Sequence, residues 1–432
     1  MGVGLTSGLF LWLTIMLAAG GIAGTTWLWP RLAWQRNGQV GARIALIAVG
    51  QILIVAAVLA YLNDSFSFFS SWSALIGPVP ARQSAVSLPD TARAASTQPI
   101  VITGSSIGAT YRGGSALGRY GSGLIASPGG RPDAAGLPLF AGRTHAPTRS
   151  SSAAARSGAV LRVTIRGQYT GIVGASDYVY LPPVYFQPAY AKARFPVVLA
   201  FAGYPTDPLN MMGMLGLPAM AARLATAHRI RPAIYVMVNP SVALPRDTEC
   251  TNIPAGLQVA TFFGTDVPLA VERTFRAQSR PRGWAAMGFS TGAYCAAKMA
   301  MLYPGQFSAA VGMSGIYAAI KDHTTGNLYG GSHGYRSEND LQWRLRNLPA
   351  PPVSVLIASS ASEDNLPGSL AFLHLIHPPM QGYSLILPRG GHNYSTWRRE
   401  LPQILRWLSR RLTPPAPGHG AARPREQVVK KN

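Results

Sequence analysis

Acidic residues and lysine are scarce in this chain of 432 residues. It has 16 Asp and Glu against 38 Lys and Arg, which gives a formal charge of +22. Only Lys192, Lys298, Lys321, Lys430 and Lys431 are lysines, so the excess is almost entirely arginine. A charge of this size invites a nucleic-acid hypothesis. Because the basic residues lie outside any recognisable nucleic-acid motif, we expect no nucleic acid among the partners.

Cysteine is almost absent as well. Two cysteines exclude a disulfide-dense scaffold and a zinc site built from three or four thiolates. Charged residues make up only 12% of the chain and hydrophobic residues 48%, which excludes a wholly disordered protein. The mean hydropathy is +0.15, so we expect part of the chain to lie in lipid.

The first thirty residues contain no charged side chain. The apolar run at 5–29 is long enough, at about 1.5 Å per residue, to cross a hydrocarbon core of about 30 Å. The alternative interpretation, a secretory signal peptide, lacks the positively charged leading region. A second uncharged run at 44–62 follows a basic stretch that contains Arg31, Arg36 and Arg43. We therefore expect two transmembrane helices in a membrane anchor that covers 1–81.

The basic stretch between the two apolar runs predicts the topology. The positive-inside rule places these arginines in the cytoplasm, so everything after the second helix lies on the extracytoplasmic face of the plasma membrane. The uncharged aromatic segment 65–81 suits the level of the lipid headgroups. Residues 82–158 are rich in Ala, Ser, Gly, Pro and Arg, which is typical of a linker. Its arginines either contact anionic lipids or wall polymers or belong to a solvated spacer.

Short β-rich runs alternate with helical patterns between 159 and 412. Two hairpin-like strands, at 160–165 and 177–182, come first, and single apolar strands separated by helices follow. This order predicts an α/β fold with a mostly parallel central sheet, helices on both faces and an antiparallel start. The Pro-rich, basic tail at 413–432 is predicted to be disordered.

Gly288-Phe289-Ser290-Thr291-Gly292 matches G-x-S-x-G, the tight turn that presents a serine hydroxyl between a strand and a helix. The run WAAMGF before Ser290 suits a buried strand, and YCAAKMAMLY after it has helical composition. A second match at 104–108 leads into glycine-rich sequence with no following helix. Context therefore selects Ser290 as the candidate nucleophile.

A serine hydroxyl needs a positioned base, and the base needs a group that holds its tautomer. His392 is the candidate base, because it lies in the glycine-containing loop LPRGGHNYSTW after an apolar strand. The candidate acid follows the strand VSVLIASS. We favour Asp364, with Glu363 as the alternative. The chain order Ser290, acid, His392 is that of α/β-hydrolases.

The tetrahedral intermediate of ester cleavage needs hydrogen-bond donors for its oxyanion. One candidate is the backbone N–H of Thr291, directly after the nucleophile. The other is the loop FAGYPTDP, where Gly203 and Tyr204 either contribute a donor or form a simple turn. Asp207 in the same loop either binds a polar substrate or is a solvated turn residue.

The remaining histidines and the cysteines have weaker patterns. The H-x-x-H spacing of His374 and His377 lacks a partner carboxylate, so we expect no metal and no cofactor. His323 and His333 lie in a polar insertion, where they either line a pocket or are solvated. Cys250 and Cys295 form a disulfide in an oxidising compartment, or they are two buried free thiols.

Residues 160–412 resemble the Putative esterase family of α/β-hydrolases, which includes esterase D, feruloyl esterases and the secreted mycolyltransferases of mycobacteria and corynebacteria. The matching segments are FPVVLAFAGYP, AAMGFSTGAYCAAKMAMLYPGQFSAAVGMSG and GGHNYSTWRRELPQILRWL. The resemblance implies that Ser290 is the nucleophile and that His392, in a G-x-H-x-x-x-x-W-like segment ending at Trp397, is the base. Family members often have an apolar residue where this chain has Thr291.

We expect a membrane-anchored extracytoplasmic serine esterase that forms an acyl-enzyme on Ser290 and acts on an ester or acyl-lipid substrate. Acyl transfer to an envelope sugar or lipid shares the first half-reaction and is the alternative activity. A non-catalytic envelope-binding module on the same scaffold is the competing hypothesis without enzymatic activity.

Overall fold

The computed structural model describes residues 8–32, 37–66, 99–107, 154, 156 and 158–416. They fall into two compact units, a helical hairpin and an α/β domain. The described residues do not include 67–81 of the predicted aromatic segment, most of the predicted linker (82–98 and 108–153) or 417–432 of the predicted tail. The boundaries drawn for anchor, linker and tail therefore stay predictions.

The hairpin consists of α1 (Gly8–Leu28), a 3-10 turn (Trp29–Leu32) and α2 (Asn37–Phe66). Two candidate spans, Leu9–Leu32 and Val40–Asn63, have mean hydropathies of 1.7 and 2.5. A Cβ on Gly21 would lie 2.9 Å from Leu53 Cδ1, so small residues let the two backbones approach. Both helices are long and apolar enough to cross a membrane.

The α/β domain is built on a nine-stranded sheet. Its strand order is β1-β2-β3-β5-β4-β6-β7-β8-β9. The antiparallel start predicted from the sequence is present, because β1, β2, β3 and β5 pair antiparallel in that order and all later pairs are parallel. The strands are β1 (Ile100–Ile107), β2 (Ala159–Arg166), β3 (Val173–Leu181), β4 (Val197–Phe201), β5 (Ile234–Val238), β6 (Trp284–Phe289), β7 (Ala309–Met313), β8 (Ser354–Ser360) and β9 (Gln381–Leu387).

Helices cover both faces of this sheet, as predicted. The central strands β4, β5, β6 and β7 are buried at every position, which explains their continuous apolar sequences. The helices are α3 (Leu209–Gly213), α4 (Leu217–Thr226), α5 (Val259–Thr261), α6 (Val267–Thr274), α7 (Thr291–Leu302), α8 (His333–Asn339), α9 (Leu341–Asn347), α10 (Leu366–His374) and α11 (Tyr394–Arg411); a π-helical turn (Phe262–Asp266) joins α5 to α6.

Parallel strands carry their carboxyl ends at one edge of the sheet, and the loops that leave them meet there. The loops after β4, β6, β7, β8 and β9 begin at residues 202, 290, 314, 361 and 388. The sequence segments singled out for catalysis are among these loops. The fold therefore gathers them at one edge.

Two parts of the domain differ from the sequence prediction. Strand β1 lies inside the predicted linker, where it pairs antiparallel with β2 and buries Ile100. The polar insertion contains α8 and α9, whose N-termini are capped by the side chains of Ser332 and Asp340. Strand β1 forms because β2, which is distant in sequence, pairs with it, whereas α8 and α9 begin at local side-chain caps.

Candidate active site

Ser290 occupies the turn between β6 and α7. Its backbone has φ 57° and ψ −127°, which is an unfavourable conformation for a residue with a Cβ. The Ser290 N–H donates to the carbonyl oxygen of Met313 on β7 at 3.0 Å, which fixes the turn to the neighbouring strand. The strained turn presents the serine at the carboxyl edge of the sheet, as a nucleophile elbow does.

The glycines on either side of Ser290 are sterically required. A Cβ on Gly288 would lie 2.2 Å from the carbonyl oxygen of Gly292. A Cβ on Gly292 would lie 2.4 Å from the carbonyl oxygens of both Phe201 and Ala202. In the other G-x-S-x-G match, Ser106 lies within β1, and Gly108 lies outside the described residues. Ser290 thus occupies a strand-to-helix turn, whereas Ser106 is part of a strand.

The loop after β4 lies directly against the nucleophile. A Cβ on Gly203 would be 3.1 Å from the Ser290 Cβ and 3.1 Å from the ring of Phe289. Tyr204 follows Gly203, and Thr291 follows Ser290, so the structure brings the predicted oxyanion donors to one place. Asp207, further along the loop, is exposed and accepts a hydrogen bond from the Leu209 N–H at 2.7 Å.

The two candidate acids have different environments. Glu363 is buried, with 6% of its surface exposed, whereas Asp364 is exposed. The Ser314 hydroxyl donates to Glu363 Oε1 at 2.8 Å, and the Trp397 indole N–H donates to the Ser314 Oγ at 2.8 Å. The Trp397 ring also stacks on Phe289, with centroids 4.5 Å apart. Glu363 is thus held by a hydrogen-bonded chain beside the elbow strand, and Asp364 is not part of it.

The loop between β9 and α11 contains His392. On one side of it, a Cβ on Gly390 would lie 2.9 Å from the Ser360 Cβ at the end of β8. The Gly391 N–H donates to the Thr396 hydroxyl at 2.8 Å and closes the loop. These flanking residues lie at the same edge of the sheet as Glu363.

The other candidate histidines lie elsewhere. His374 ends α10, and His377 contacts the carbonyl oxygens of Pro378 and Leu345 through its ring nitrogens. His323 and His333 are exposed in the insertion. Within the described ranges, no three His, Cys, Asp or Glu side chains group in a way that could hold a metal ion.

A contact that the sequence did not predict reaches the residue after the nucleophile. The Thr291 hydroxyl donates to Asp247 Oδ2 at 3.0 Å. Burial raises the pKa of Asp247, and hydrogen bonds from Glu249, Ser241 and Thr291 oppose that shift. The structure also joins Cys250 to Cys295 in a disulfide, with Cα atoms 5.6 Å apart. Thr291, where family members often have an apolar residue, was a sequence signal that this side chain has a polar partner.

Another buried carboxyl group, Glu400 on α11, interacts electrostatically with Glu363. It is fully buried, and neither of its carboxyl oxygens has a hydrogen-bond partner among the described residues. Burial, followed by the nearby charge of Glu363, raises the pKa of Glu400 to about 8, and Arg399 opposes this shift. Glu400 is therefore protonated in the folded domain at neutral pH.

This protonation makes stability depend on pH. An unfolded glutamate titrates near pH 4.3. Between that pH and about 8, unfolding releases a proton from Glu400, so the contribution of Glu400 to stability is fully present below about pH 4.3 and is lost as the pH rises towards about 8. We expect this group to lower the free energy of unfolding by up to about 1.4 kcal/mol per pH unit in that range. Chemical unfolding of the full chain in detergent micelles measures the slope. Glu400→Gln should remove this contribution to the slope, whereas Glu338→Gln, at an exposed position, should keep it. Equal slopes in the two variants would contradict the raised pKa of Glu400.

Comparison with known proteins agrees with this geometry. Residues 176–364 match the model of the family described as Putative esterase. An uncharacterised protein of Corynebacterium glutamicum is 23% identical over 286 residues, 63% of this chain and 66% of that protein. The chain thus spans slightly less than two thirds of the length of this curated relative.

The fold of this domain is also found in a solved structure. The S-formylglutathione hydrolase of Agrobacterium tumefaciens is 16% identical and has a TM-score of 0.51, with 60% of this chain and 96% of that chain covered. A ferulic acid esterase is 18% identical with a TM-score of 0.47, covering 59% of this chain and 97% of that chain. The matched residues 176–364 include the elbow at Ser290 and the buried Glu363, and this part of the chain is similar to the Putative esterase family of α/β-hydrolases.

Proposed function

We propose that this protein is a membrane-anchored extracytoplasmic serine esterase that cleaves carboxylic esters through an acyl-enzyme on Ser290. The observation that carries the proposal is the strained conformation of Ser290, with φ 57°, at a turn flanked by sterically required glycines. Such strain persists only where the surrounding structure imposes it, and it is common at catalytic nucleophiles. An ordinary strand-to-helix turn does not require this strained conformation.

The proposed reaction proceeds in two half-reactions. Ser290 Oγ attacks the ester carbonyl carbon while His392 takes the hydroxyl proton, and the carbonyl oxygen becomes an oxyanion. The oxyanion accepts hydrogen bonds from backbone N–H groups at Thr291 and in the 203–204 loop. The C–O bond to the alcohol then breaks, and His392 returns the proton to the leaving oxygen. Water, deprotonated by His392, attacks the acyl carbon; the bond from that carbon to Ser290 Oγ then breaks, His392 returns the proton to Ser290 Oγ, and the carboxylic acid is released.

Glu363 is the proposed acid, in place of Asp364, which the sequence favoured. A triad acid must hold the imidazole in one tautomer and stabilise the imidazolium, so it needs a fixed position and low exposure to water. Glu363 is buried and receives a hydrogen bond from Ser314, whereas Asp364 is exposed to solvent. The second Glu363 oxygen is then the one proposed to face His392.

The membrane location is proposed from the hairpin. Its two apolar helices are 21 and 30 residues long, and large apolar side chains on them are exposed, such as Trp12 at 65% and Ile52 at 66%. Lipid would cover these side chains. The arginines between the apolar runs favour a cytoplasmic turn, which puts the esterase domain outside. The disulfide fits an oxidising compartment.

One experiment tests activity and location together. Intact cells that produce the full chain are treated with a charged, membrane-impermeant fluorophosphonate, which phosphonylates activated serines. We expect labelling on the peptide that contains Ser290, while a cytoplasmic serine hydrolase in the same cells is labelled only after lysis. Labelling of this chain only after lysis would overturn the extracytoplasmic location. Absence of labelling before and after lysis, with the protein present and folded, would overturn the serine-esterase proposal.

A further inference from the structure

The bracing segment, defined here as residues 245–251, lies along one face of the helix that begins at the nucleophile. Thr291, Cys295 and Lys298 are spaced i, i+4 and i+7 on α7, so they share a face. Thr291 Oγ1 donates to Asp247 Oδ2 at 3.0 Å, and Cys295 is bonded to Cys250. Lys298 Nζ donates to the Glu249 carbonyl oxygen at 3.2 Å and to Thr251 Oγ1 at 2.8 Å. Successive turns of α7 are therefore tied to one short segment.

The same segment also contacts the other side of the proposed oxyanion hole. The Tyr204 hydroxyl donates to the Pro245 carbonyl oxygen at 2.6 Å. Tyr204 belongs to the loop after β4, and Thr291 begins the helix after β6. The bracing segment is thus a physical link between the two loops that supply the proposed donors, and its two contacts, at Pro245 and Asp247, are two residues apart.

The backbone of the bracing segment adopts an energetically unfavourable conformation that hydrogen bonds hold in place. Glu249 and Cys250 have φ of 47° and 45°, so two consecutive non-glycine residues adopt the left-handed conformation. Asp247 Oδ1 accepts from Ser241 Oγ at 3.0 Å and from the Glu249 N–H at 3.1 Å, which holds this conformation. The side chains of Asp247, Glu249 and Cys250 are all buried.

The position of Asp247 beside the proposed oxyanion hole has an electrostatic cost. A carboxylate so close to the oxyanion donors disfavours the negative charge that develops in the transition state. Burying it also has a desolvation cost, which raises the pKa of Asp247. If residue 291 were apolar, it would not need the Asp247 carboxylate as a hydrogen-bond acceptor. The hydrogen bond that fixes Thr291 is the benefit that offsets these costs.

We propose that Asp247 is a positioning residue of the oxyanion hole. By accepting the hydrogen bond of the Thr291 hydroxyl, Asp247 fixes the position of the first residue of α7. Through the bracing segment, Asp247 also fixes the position of Thr291 relative to the loop that contains Tyr204. The inference rests on the proposed acyl-enzyme at Ser290. Asp247 contacts Thr291 rather than substrate, so its effect is on the alignment of the Thr291 N–H in the transition state.

The test uses the full chain in detergent micelles with p-nitrophenyl acetate as substrate. Thr291→Val removes the hydroxyl at constant size, and we expect kcat to fall by about 10- to 100-fold with KM within about twofold, because a misplaced donor weakens transition-state binding alone. The fluorophosphonate labelling rate should fall by a similar factor. Thr291→Ser retains the donor and should keep kcat within about threefold of the wild type. Asp247→Ala combined with Thr291→Val should lose no more than the more impaired single variant, since the two share one hydrogen bond.

Thr248→Val is the matched control. It removes a buried threonine hydroxyl from the same segment, but that hydroxyl donates to the Pro240 carbonyl oxygen at 2.8 Å and does not reach α7. We expect its kcat to stay within about twofold of the wild type, even if its melting temperature falls. Wild-type kcat in Thr291→Val, or an equal loss in Thr248→Val, would overturn the positioning role. If Asp247→Ala fails to fold, comparison of Thr291→Val with Thr291→Ser still tests the positioning role. Failure of the esterase proposal is distinguishable, because the wild type itself would then show neither turnover nor labelling.

Discussion

Ser290→Ala is expected to lower kcat/KM for an aryl ester by about 10⁶-fold, close to the rate without covalent catalysis. The variant removes the oxygen that forms the acyl-enzyme, and a water molecule that attacked in its place would lack the effective concentration of a side chain fixed at the site. Alanine retains the Cβ and so keeps the same backbone restriction at φ 57°. The fold should therefore be unchanged, and the loss should appear in turnover of p-nitrophenyl acetate by the full chain.

Ser354→Ala is the matched control for that loss. Ser354 is the first residue of β8, at the end of the sheet opposite to the catalytic edge. Its hydroxyl makes a long contact, 3.4 Å, to Gln381 Oε1. We expect activity within about twofold of the wild type. If Ser290→Ala kept more than a tenth of the activity, another residue would be the nucleophile and the acyl-enzyme proposal would fail.

Glu363→Gln is expected to lower kcat by about 10³- to 10⁴-fold. The amide still accepts the hydrogen bond from the Ser314 hydroxyl, so the chain Trp397–Ser314–363 can persist. It no longer stabilises the imidazolium of His392, and its NH₂ group favours the wrong tautomer. The loss should be in kcat, measured by steady-state turnover, with little change in KM.

The adjacent carboxylate provides the comparison. Asp364 is exposed, so Asp364→Asn should keep kcat within about twofold of the wild type. The folded state of Glu363→Gln should be at least as stable as the wild type above neutral pH, because removing the charge at 363 relieves its repulsion with Glu400. The reverse pattern, a large loss in Asp364→Asn and none in Glu363→Gln, would return the role of acid to Asp364.

The features predicted best from the sequence are those set by local chemistry. The elbow at Ser290 depends on two glycines, a preceding apolar strand and a following helix, all within about 20 residues. The buried central strands were predicted because strands covered on both faces need continuous apolar sequence. The meeting of their carboxyl ends at one edge then follows from parallel topology.

The choice between Glu363 and Asp364 was beyond local reasoning. Both follow β8, both are short-range neighbours of Asn365, and their sequence context is almost the same. Ser314 after β7 and Trp397 on α11 decide which side chain is buried and hydrogen-bonded. These residues are 49 and 34 positions away from Glu363, and no pattern in the sequence pairs them with it.

Strand β1 and the partners of Thr291 were missed for related reasons. Strand β1 has the sequence IVITGSSI, in which a glycine and two serines weaken the strand pattern, and its partner β2 begins more than fifty residues later. Asp247 lies in a loop, where a carboxylate is ordinarily solvated. The presence of Cys250 in this loop and of Cys295 on α7 was a sequence clue that the two meet, but the sequence left a disulfide and two free thiols open.

The disulfide also has a consequence for the unfolded chain. Its cysteines are 45 positions apart, and the closed loop between them includes α5, α6, the whole of β6 and Ser290. Closing a loop of this length reduces the entropy of the unfolded chain by an amount equivalent to about 4 kcal/mol at 25 °C. The nucleophile therefore lies within a covalent ring even when every hydrogen bond around it is broken. A chain that unfolds and refolds starts with the elbow helix already joined to the segment that braces it.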